Sequence, residues 1–121
     1  MLESSLRSDY QNFVGDKVPF ESFLLFLKLL QKWNQKVNLV SDASADRVLR
    51  EHFCDSLVLL PYIKSGDKIL DVGSGAGFPG IPLKLALPSL DITLAEVRKK
   101  RIAFLKEAIR TLNFKEVKLF E

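Results

Sequence analysis

Apolar positions repeat at helical spacing in the first half of the chain. The strongest repeat runs from about Pro19 to Gln35 and predicts a long amphipathic helix with one wide apolar face. A second repeat, from about Ser44 to Leu60, predicts another helix that ends before Pro61. The first 17 residues are weakly patterned and predict one or two amphipathic turns.

The pattern changes after residue 64, where short apolar runs alternate with helical repeats. Three of these runs predict strands: Lys68–Val72, Asp91–Ala95 and Val117–Phe120. The repeats between them predict helices at about residues 81–87 and 98–112. Strands that alternate with helices are typical of a parallel sheet with right-handed crossovers, so the sequence predicts an α/β fold.

Composition narrows the class of protein without naming it. The 121 residues are 47% hydrophobic and 27% charged, as in a globular domain with one core. The single cysteine, Cys54, fits a reducing compartment, and neither a secretory signal nor a membrane-length apolar segment is visible. We therefore expect a cytoplasmic protein with no membrane partner. The net charge of +3 is a weak indication of an anionic partner.

The most informative stretch is glycine-rich and follows the first predicted strand, with the sequence Asp-Val-Gly-Ser-Gly-Ala-Gly-Phe-Pro-Gly over residues 71–80. Glycines there allow a sharp turn and let a ligand lie against the main chain. Glu96 ends the second predicted strand, where a carboxylate accepts hydrogen bonds from ribose hydroxyls. The pattern predicts a nucleotide-type cofactor held by Asp71, Gly75, Gly77 and Glu96.

Two classes of cofactor share this pattern. A dinucleotide fingerprint needs a small residue three positions after its second glycine, and counted from Gly75 that position holds Phe78. Pro79 and Pro82 also remove N–H donors near the start of the next helix. These features favour S-adenosylmethionine, which has no phosphate and whose ammonium group Asp71 can hold directly or through water. A dinucleotide-dependent oxidoreductase is the less favoured alternative.

Four stretches resemble one known family: residues 32–39, 51–57, 71–82 and 100–105. From about Phe20 onward the chain is similar to the bacterial small-subunit ribosomal RNA guanine-N7 methyltransferases, also called glucose-inhibited division protein B. The resemblance implies a Rossmann-like fold and methyl transfer from S-adenosylmethionine to N7 of a guanine in 16S ribosomal RNA. It also implies that Gly73 and Phe78 contact the cofactor, and that Glu96 stands where the family usually has Asp.

The resemblance divides the chain into two parts. Residues 1–64 are expected to form an N-terminal helical extension, and residues 65–121 the first half of the Rossmann-like methyltransferase domain with a partial parallel sheet. Family members continue well beyond the third strand, so we expect a truncated chain that does not methylate RNA alone. We also expect self-association through the open edge of strand Lys68–Val72. A non-catalytic cofactor- or RNA-binding fragment is a further alternative.

A run of four cations opens the third long helix: Arg98, Lys99, Lys100 and Arg101. Cations at a helix N-terminus oppose the macrodipole, so the run does not serve helix stability. We expect it to face 16S ribosomal RNA or the small ribosomal subunit. A solvated charge run is the alternative.

Several other polar residues have a structural and a functional interpretation. His52, Asp55 and Ser56 share one face of the predicted helix; a histidine that Asp55 orients in a buried helix contact is favoured over a polar cluster beside the cofactor or target guanine. Cys54 is interpreted as a buried thiol, and no grouping of residues has metal-ligand spacing. Trp33 is expected in the core, with RNA stacking beside Asn34 and Asn38 as the alternative. The catalytic residues stay unknown, because guanine N7 needs no base to remove a proton.

Overall fold

The computed structural model describes residues 3–121, so Met1 and Leu2 of the predicted extension lie outside the described residues. Within these described residues, the α-helices are α1 Glu3–Phe13, α2 Phe20–Asn34, α3 Ala45–Arg47, α4 Cys54–Leu57, α5 Gly80–Ala86 and α6 Lys99–Thr111. The strands in the same part of the chain are β1 Lys68–Val72, β2 Asp91–Ala95 and β3 Val117–Phe120. A π-helical segment, Val48–Phe53, joins α3 to α4, and two short 3-10 turns lie at Gly15–Lys17 and Leu60–Tyr62.

The three strands form one parallel sheet in the order β1-β2-β3, which confirms the predicted α/β fold with a partial parallel sheet. All three strands begin and end at the predicted residues. The register aligns Val72 with Ala95 and Ala95 with Phe120, so these three residues lie on one face of the sheet. On that face Val72 and Phe120 are exposed, whereas Ile92 and Leu94 on the opposite face are buried.

The helices of residues 3–62 and the sheet share one continuous hydrophobic core. Within the extension, the ring of Phe23 meets Phe53 edge-on with centroids 4.9 Å apart. Phe26 joins the extension to the sheet layer, because its ring lies 6.4 Å from Phe104 of α6 and 5.6 Å from Phe78. The side of the sheet that carries α5 and α6 is therefore fixed against α2.

The helices differ from prediction in the extension. The weakly patterned first residues form α1, an 11-residue helix whose Leu6 and Tyr10 are buried. The predicted helix from Ser44 to Leu60 instead contains a π-helical segment and its α-helical part ends at Leu57. The wider π turn, with its i→i+5 bonding, brings both Val48 and Phe53 onto the buried face.

The remaining helices confirm their predicted positions to within two residues at either end. Asn113 adopts a φ of 56° just after α6, as expected of a C-terminal cap. Within residues 3–121, no helix combines the length and the apolar character that crossing a membrane requires.

Candidate cofactor-binding site

The glycine turn, residues 73–79, connects the carboxyl end of β1 to α5. Gly73 has a φ of +70°, and no atom lies within 4 Å of the place that a Cβ would take there. The amide groups of Gly73 and Ser74 both donate to the carbonyl of Ala95, at 2.8 and 3.0 Å, and thus hold the turn against the end of β2. This backbone leaves an exposed surface at Gly73 on which a ligand can lie.

The later glycines of the motif serve close packing instead. A Cβ on Gly77 would lie 2.3 Å from Cδ1 of Ile81. On Gly80 it would lie 2.6 Å from Cδ2 of Leu94 and 2.8 Å from Oδ2 of Asp71. A side chain on Gly77 would therefore crowd Ile81 of α5, and one on Gly80 would crowd the sheet residues Leu94 and Asp71. The structure separates an exposed glycine at the start of the turn from packing glycines at its end.

Phe78 does not occupy the position that the sequence argument gave it. The run from Gly75 to Gly80 has the glycine spacing of a dinucleotide fingerprint, and Gly80 makes the close helix–strand contact that the third glycine of that fingerprint makes. The expectation that Phe78 counts against a dinucleotide was therefore wrong. The Phe78 ring stacks on His52 with centroids 5.1 Å apart and meets Phe26 edge-on. It joins the glycine turn to the extension.

The N-terminus of α5 gives a separate reason against a pyrophosphate. The buried carboxylate of Asp71 accepts the amide N–H of Gly80 through Oδ2 at 3.1 Å, and burial raises the pKa of Asp71. The amide of Ile81 donates to the carbonyl of Gly77, and Pro82 has no N–H. The first three residues of α5 therefore offer no free donor, and a carboxylate lies beside them. This arrangement disfavours a dinucleotide.

Glu96 lies directly after β2 and is held against the glycine turn. Its Oε1 accepts the amide N–H of Gly75 at 2.8 Å, and its Oε2 accepts those of Val97 and Arg98 at 2.9 Å each. Burial alone would raise the pKa of Glu96, but these three hydrogen bonds and the nearby charge of Arg101 together outweigh it and lower the pKa, so the carboxylate is ionised at neutral pH. A carboxylate has about four acceptor positions, so one is left for a ligand hydroxyl.

The basic run at the start of α6 divides into two environments. Arg98, Lys99 and Lys100 are exposed, whereas Arg101 is half-buried. Nη2 of Arg101 donates to the carbonyl of Asn38 at 3.2 Å, and its Nη1 lies 3.7 Å from the place of a Cβ on Gly75. Arg101 therefore lies beside the glycine turn and connects α6 to the extension, a contact that sequence reasoning missed. RNA contact by the run stays a prediction.

The polar residues at the end of α2 have structural contacts. Oδ1 of Asn34 accepts the amide N–H groups of Leu39 and Val40, both at 3.0 Å. This side chain closes the turn that follows α2. The half-buried Trp33 meets Phe104 edge-on, with ring centroids 5.9 Å apart. The structural interpretation of Asn34 is thus supported by direct hydrogen bonds.

His52 lies beside the glycine turn without a hydrogen bond to Asp55 among the described contacts. The hydroxyl of Ser56 donates instead to the carbonyl of His52 at 2.7 Å. These three residues line a shallow cavity of about 310 Å³ together with Phe78 and Pro79. Cys54 is half-buried, and burial raises the pKa of its thiol, which disfavours a role as a nucleophile.

The fold and this site define a class of protein. The chain has the features of a Rossmann-like methyltransferase fold: a parallel β-α-β-α-β sheet, a glycine turn after its first strand and a buried acid after its second. Residues 20–121 match the family model described as GidB, rRNA small subunit methyltransferase G. The chain belongs to this family, which confirms the resemblance found in the sequence.

Individual relatives carry the same name, ribosomal RNA small subunit methyltransferase G. The protein from Coxiella burnetii (strain RSA 331 / Henzerling II) is 48% identical over 101 residues, which cover 84% of this chain and 49% of the relative. The protein from Myxococcus xanthus (strain DK1622) is 48% identical over 89 residues, 74% of this chain and 41% of the relative. The chain thus spans about half the length of these curated relatives, or less.

Proposed function

We propose that this chain supplies the cofactor-binding part of an S-adenosylmethionine-dependent methyltransferase that acts on N7 of a guanine in 16S ribosomal RNA. Family membership and the names of the relatives support the methylation of small-subunit ribosomal RNA. The observation that carries the cofactor assignment is the hydrogen bond from Gly75 to Glu96. It places an ionised acid against the glycine turn, where a ribose would lie.

The residues of the site fit S-adenosylmethionine better than a dinucleotide. The cofactor has no phosphate, in keeping with the α5 N-terminus that Asp71 already occupies. Gly73 would lie against the cofactor with open space before it, and Glu96 would accept a ribose hydroxyl. Asp71 would help to hold the ammonium group, with Gly75, Gly77 and Phe78 shaping the turn. When bound, the cofactor supplies a methyl group on a positively charged sulfur.

The task proposed for the protein is alignment. Guanine N7 has a lone pair and no proton, so it needs no general base. Holding two reactants in line can contribute roughly 7–11 kcal/mol of the barrier. Because N7 lies on an edge of the base that is reachable in unpaired RNA, the target is expected in a single-stranded region. Arg98, Lys99, Lys100 and Arg101 are proposed to hold the RNA or the small ribosomal subunit nearby.

A chimera tests this function. Residues 20–121 would replace the matching segment of the Coxiella burnetii relative, and tritiated methyl transfer to 16S ribosomal RNA and to small subunits would be measured. We expect methylated RNA that yields N7-methylguanosine on mass spectrometry. The intact relative serves as the positive control. A folded chimera that binds S-adenosylhomocysteine but methylates another atom or no RNA would contradict the proposed function.

The division of the chain belongs to the same proposal. Residues 1–64 act as a helical extension and residues 65–121 as the first half of the methyltransferase domain, in a cytoplasmic protein. The extension contributes Asn38 and His52 to the surroundings of the glycine turn. It therefore has a place in forming the site as well as in the core.

Self-association is proposed through the edge strand β1. Leu70 and Val72 are 62% and 75% exposed on the sheet face that faces away from the core, and an unpaired strand edge lies beside them. The isolated chain is expected to elute above its monomer mass in size-exclusion chromatography at high concentration. A Leu70→Lys/Val72→Lys variant is expected to elute as a monomer. Wild-type chain that stays monomeric at every concentration would contradict this proposal.

A further inference from the structure

A cleft with cationic sides lies between the C-terminal end of α2 and α6. Its volume is about 390 Å³, within the usual range for ligand-binding cavities. The half-buried side chains of Trp33 and Val37 give it an apolar floor. Exposed lysines from both parts of the chain surround that floor: Lys32, Lys36 and Lys100. The sequence analysis considered only the cations at the start of α6 for RNA contact, and did not include Lys32 of α2 or Lys36 in the turn that follows it.

Three lysines and one acid, Glu107, line this cleft. Among residues 3–121, no ion pair within 4.0 Å involves any of its three lysines. Glu107 also lines the cleft, but Nε of Arg110 donates to it at 2.9 Å, and this hydrogen bond lowers the pKa of Glu107. Glu107 is therefore bonded to Arg110 and offsets part of the charge of Lys32, and the cleft keeps an excess of positive charge for an external anion.

The cleft shares one residue with the run of exposed cations that opens α6. Lys100 belongs to both, and Arg98 and Lys99 precede it along the chain. The first turn of α6 has no acidic residue and no side-chain cap, although acids and caps are what stabilise a helix N-terminus. Local helix stability does not explain these cations, one of which, Lys100, lines the cleft.

We propose that this cleft binds single-stranded RNA, with lysines on the phosphates and an unstacked base against Trp33 and Val37. Aromatic floors combined with cationic sides suit single strands, because every base has a face that can stack and every linkage carries a charge. The inference rests on the proposed ribosomal RNA substrate and adds the extension to the surface that holds it. Trp33 then has two contacts, with Phe104 inside and RNA outside.

The single tryptophan of the chain makes the cleft directly observable. Titration with a short oligouridylate is expected to change the fluorescence of Trp33 in a saturable way. In a Lys32→Gln/Lys36→Gln variant, the slope of log affinity against log salt is expected to flatten by about 1.4, at roughly 0.7 per phosphate contact. A Lys64→Gln/Lys68→Gln variant serves as the control, because it removes the same amount of charge near the start of β1, outside the cleft. This variant is expected to keep the wild-type slope.

Each outcome decides one claim. If RNA binds without changing the fluorescence of Trp33, and the salt dependence of its affinity is unchanged in the Lys32→Gln/Lys36→Gln variant, then the cleft is not the RNA-binding site. That result would leave the proposed function standing. Binding of S-adenosylhomocysteine, measured by calorimetry on the same samples, tests that function separately, and its absence would count against it. Oligoglutamate, an acidic peptide, would be tested as a competitor against unlabelled RNA. If less oligoglutamate than unlabelled RNA is needed to displace the bound RNA, the cleft belongs to a protein partner and the proposal is overturned.

Discussion

Gly75→Val is expected to abolish measurable binding of S-adenosylhomocysteine while the chain stays folded. Gly75 has a φ of +56°, which a β-branched residue adopts only with strain. The new side chain would also extend toward Arg101, which lies 3.7 Å from the Cβ position, and would disturb the amide that donates to Glu96. Calorimetry measures the binding, and circular dichroism checks that the helical signal is retained.

Gly66→Val is the matched control for this prediction. Gly66 also has a left-handed φ, +88°, with no atom within 4 Å of its Cβ position, but it lies in the turn before β1. The same kind of strain is thus introduced at the opposite end of the strand from the glycine turn. We expect Gly66→Val to be less stable than wild type and to bind the cofactor product normally. Binding that survives Gly75→Val would show that the turn is only structural.

Glu96→Ala is expected to weaken binding of S-adenosylhomocysteine at least tenfold. A hydrogen bond to a charged group is worth about 1.5–3 kcal/mol, and about 1.4 kcal/mol corresponds to one decade of affinity. The substitution also leaves the amide groups of Gly75, Val97 and Arg98 without their acceptor. Glu21→Ala, which removes an exposed acid on α2, serves as the control and is expected to bind normally. Unchanged affinity in a folded Glu96→Ala chain would remove Glu96 from the site.

The lowered pKa of Glu96 also predicts a pH-dependent contribution to stability, which a second variant, Glu96→Gln, tests. An acid whose pKa is lower in the folded chain than its ordinary 4.5 stabilises the fold above that ordinary value. This contribution is lost as the pH falls through the lower, folded pKa. The difference in thermal stability between wild type and Glu96→Gln is therefore expected to be largest near neutral pH and to shrink in acid. If the difference in thermal stability does not change with pH, the backbone amides do not depend on the negative charge of the Glu96 carboxylate, and this prediction is wrong.

Local signals in the sequence determined the strands but not the π-helical segment. A short apolar run between turn residues has few ways to fold other than as a buried strand, and β1, β2 and β3 begin and end as predicted. In Val48–Phe53, however, the sequence carries no local signal that distinguishes a π-helical turn from an α-helical one over so few residues. The choice between them is made by packing, because Val48 and Phe53 must both be buried against α2 and its neighbours.

The candidate site was predictable where its residues are close in sequence or end adjacent strands. The glycine turn and Glu96 follow from that rule, since the carboxyl ends of parallel strands meet at one edge of the sheet. The contact of Arg101 with Asn38 spans 63 positions and has no local signal. The different roles of Gly73 and Gly80 could not be predicted either, because they depend on which atoms surround the Cβ position of each glycine in the folded chain.

Calorimetric titration of the 121-residue chain with S-adenosylhomocysteine and, in parallel, with NAD tests the central claim most directly. The open surface at Gly73, the acid held against Gly75 and the carboxylate at the start of α5 favour a phosphate-free adenosine ligand. We expect saturable binding of S-adenosylhomocysteine to one site per chain and no detectable binding of NAD. Binding of NAD in preference to S-adenosylhomocysteine, or no binding of S-adenosylhomocysteine by a folded chain, would contradict the account.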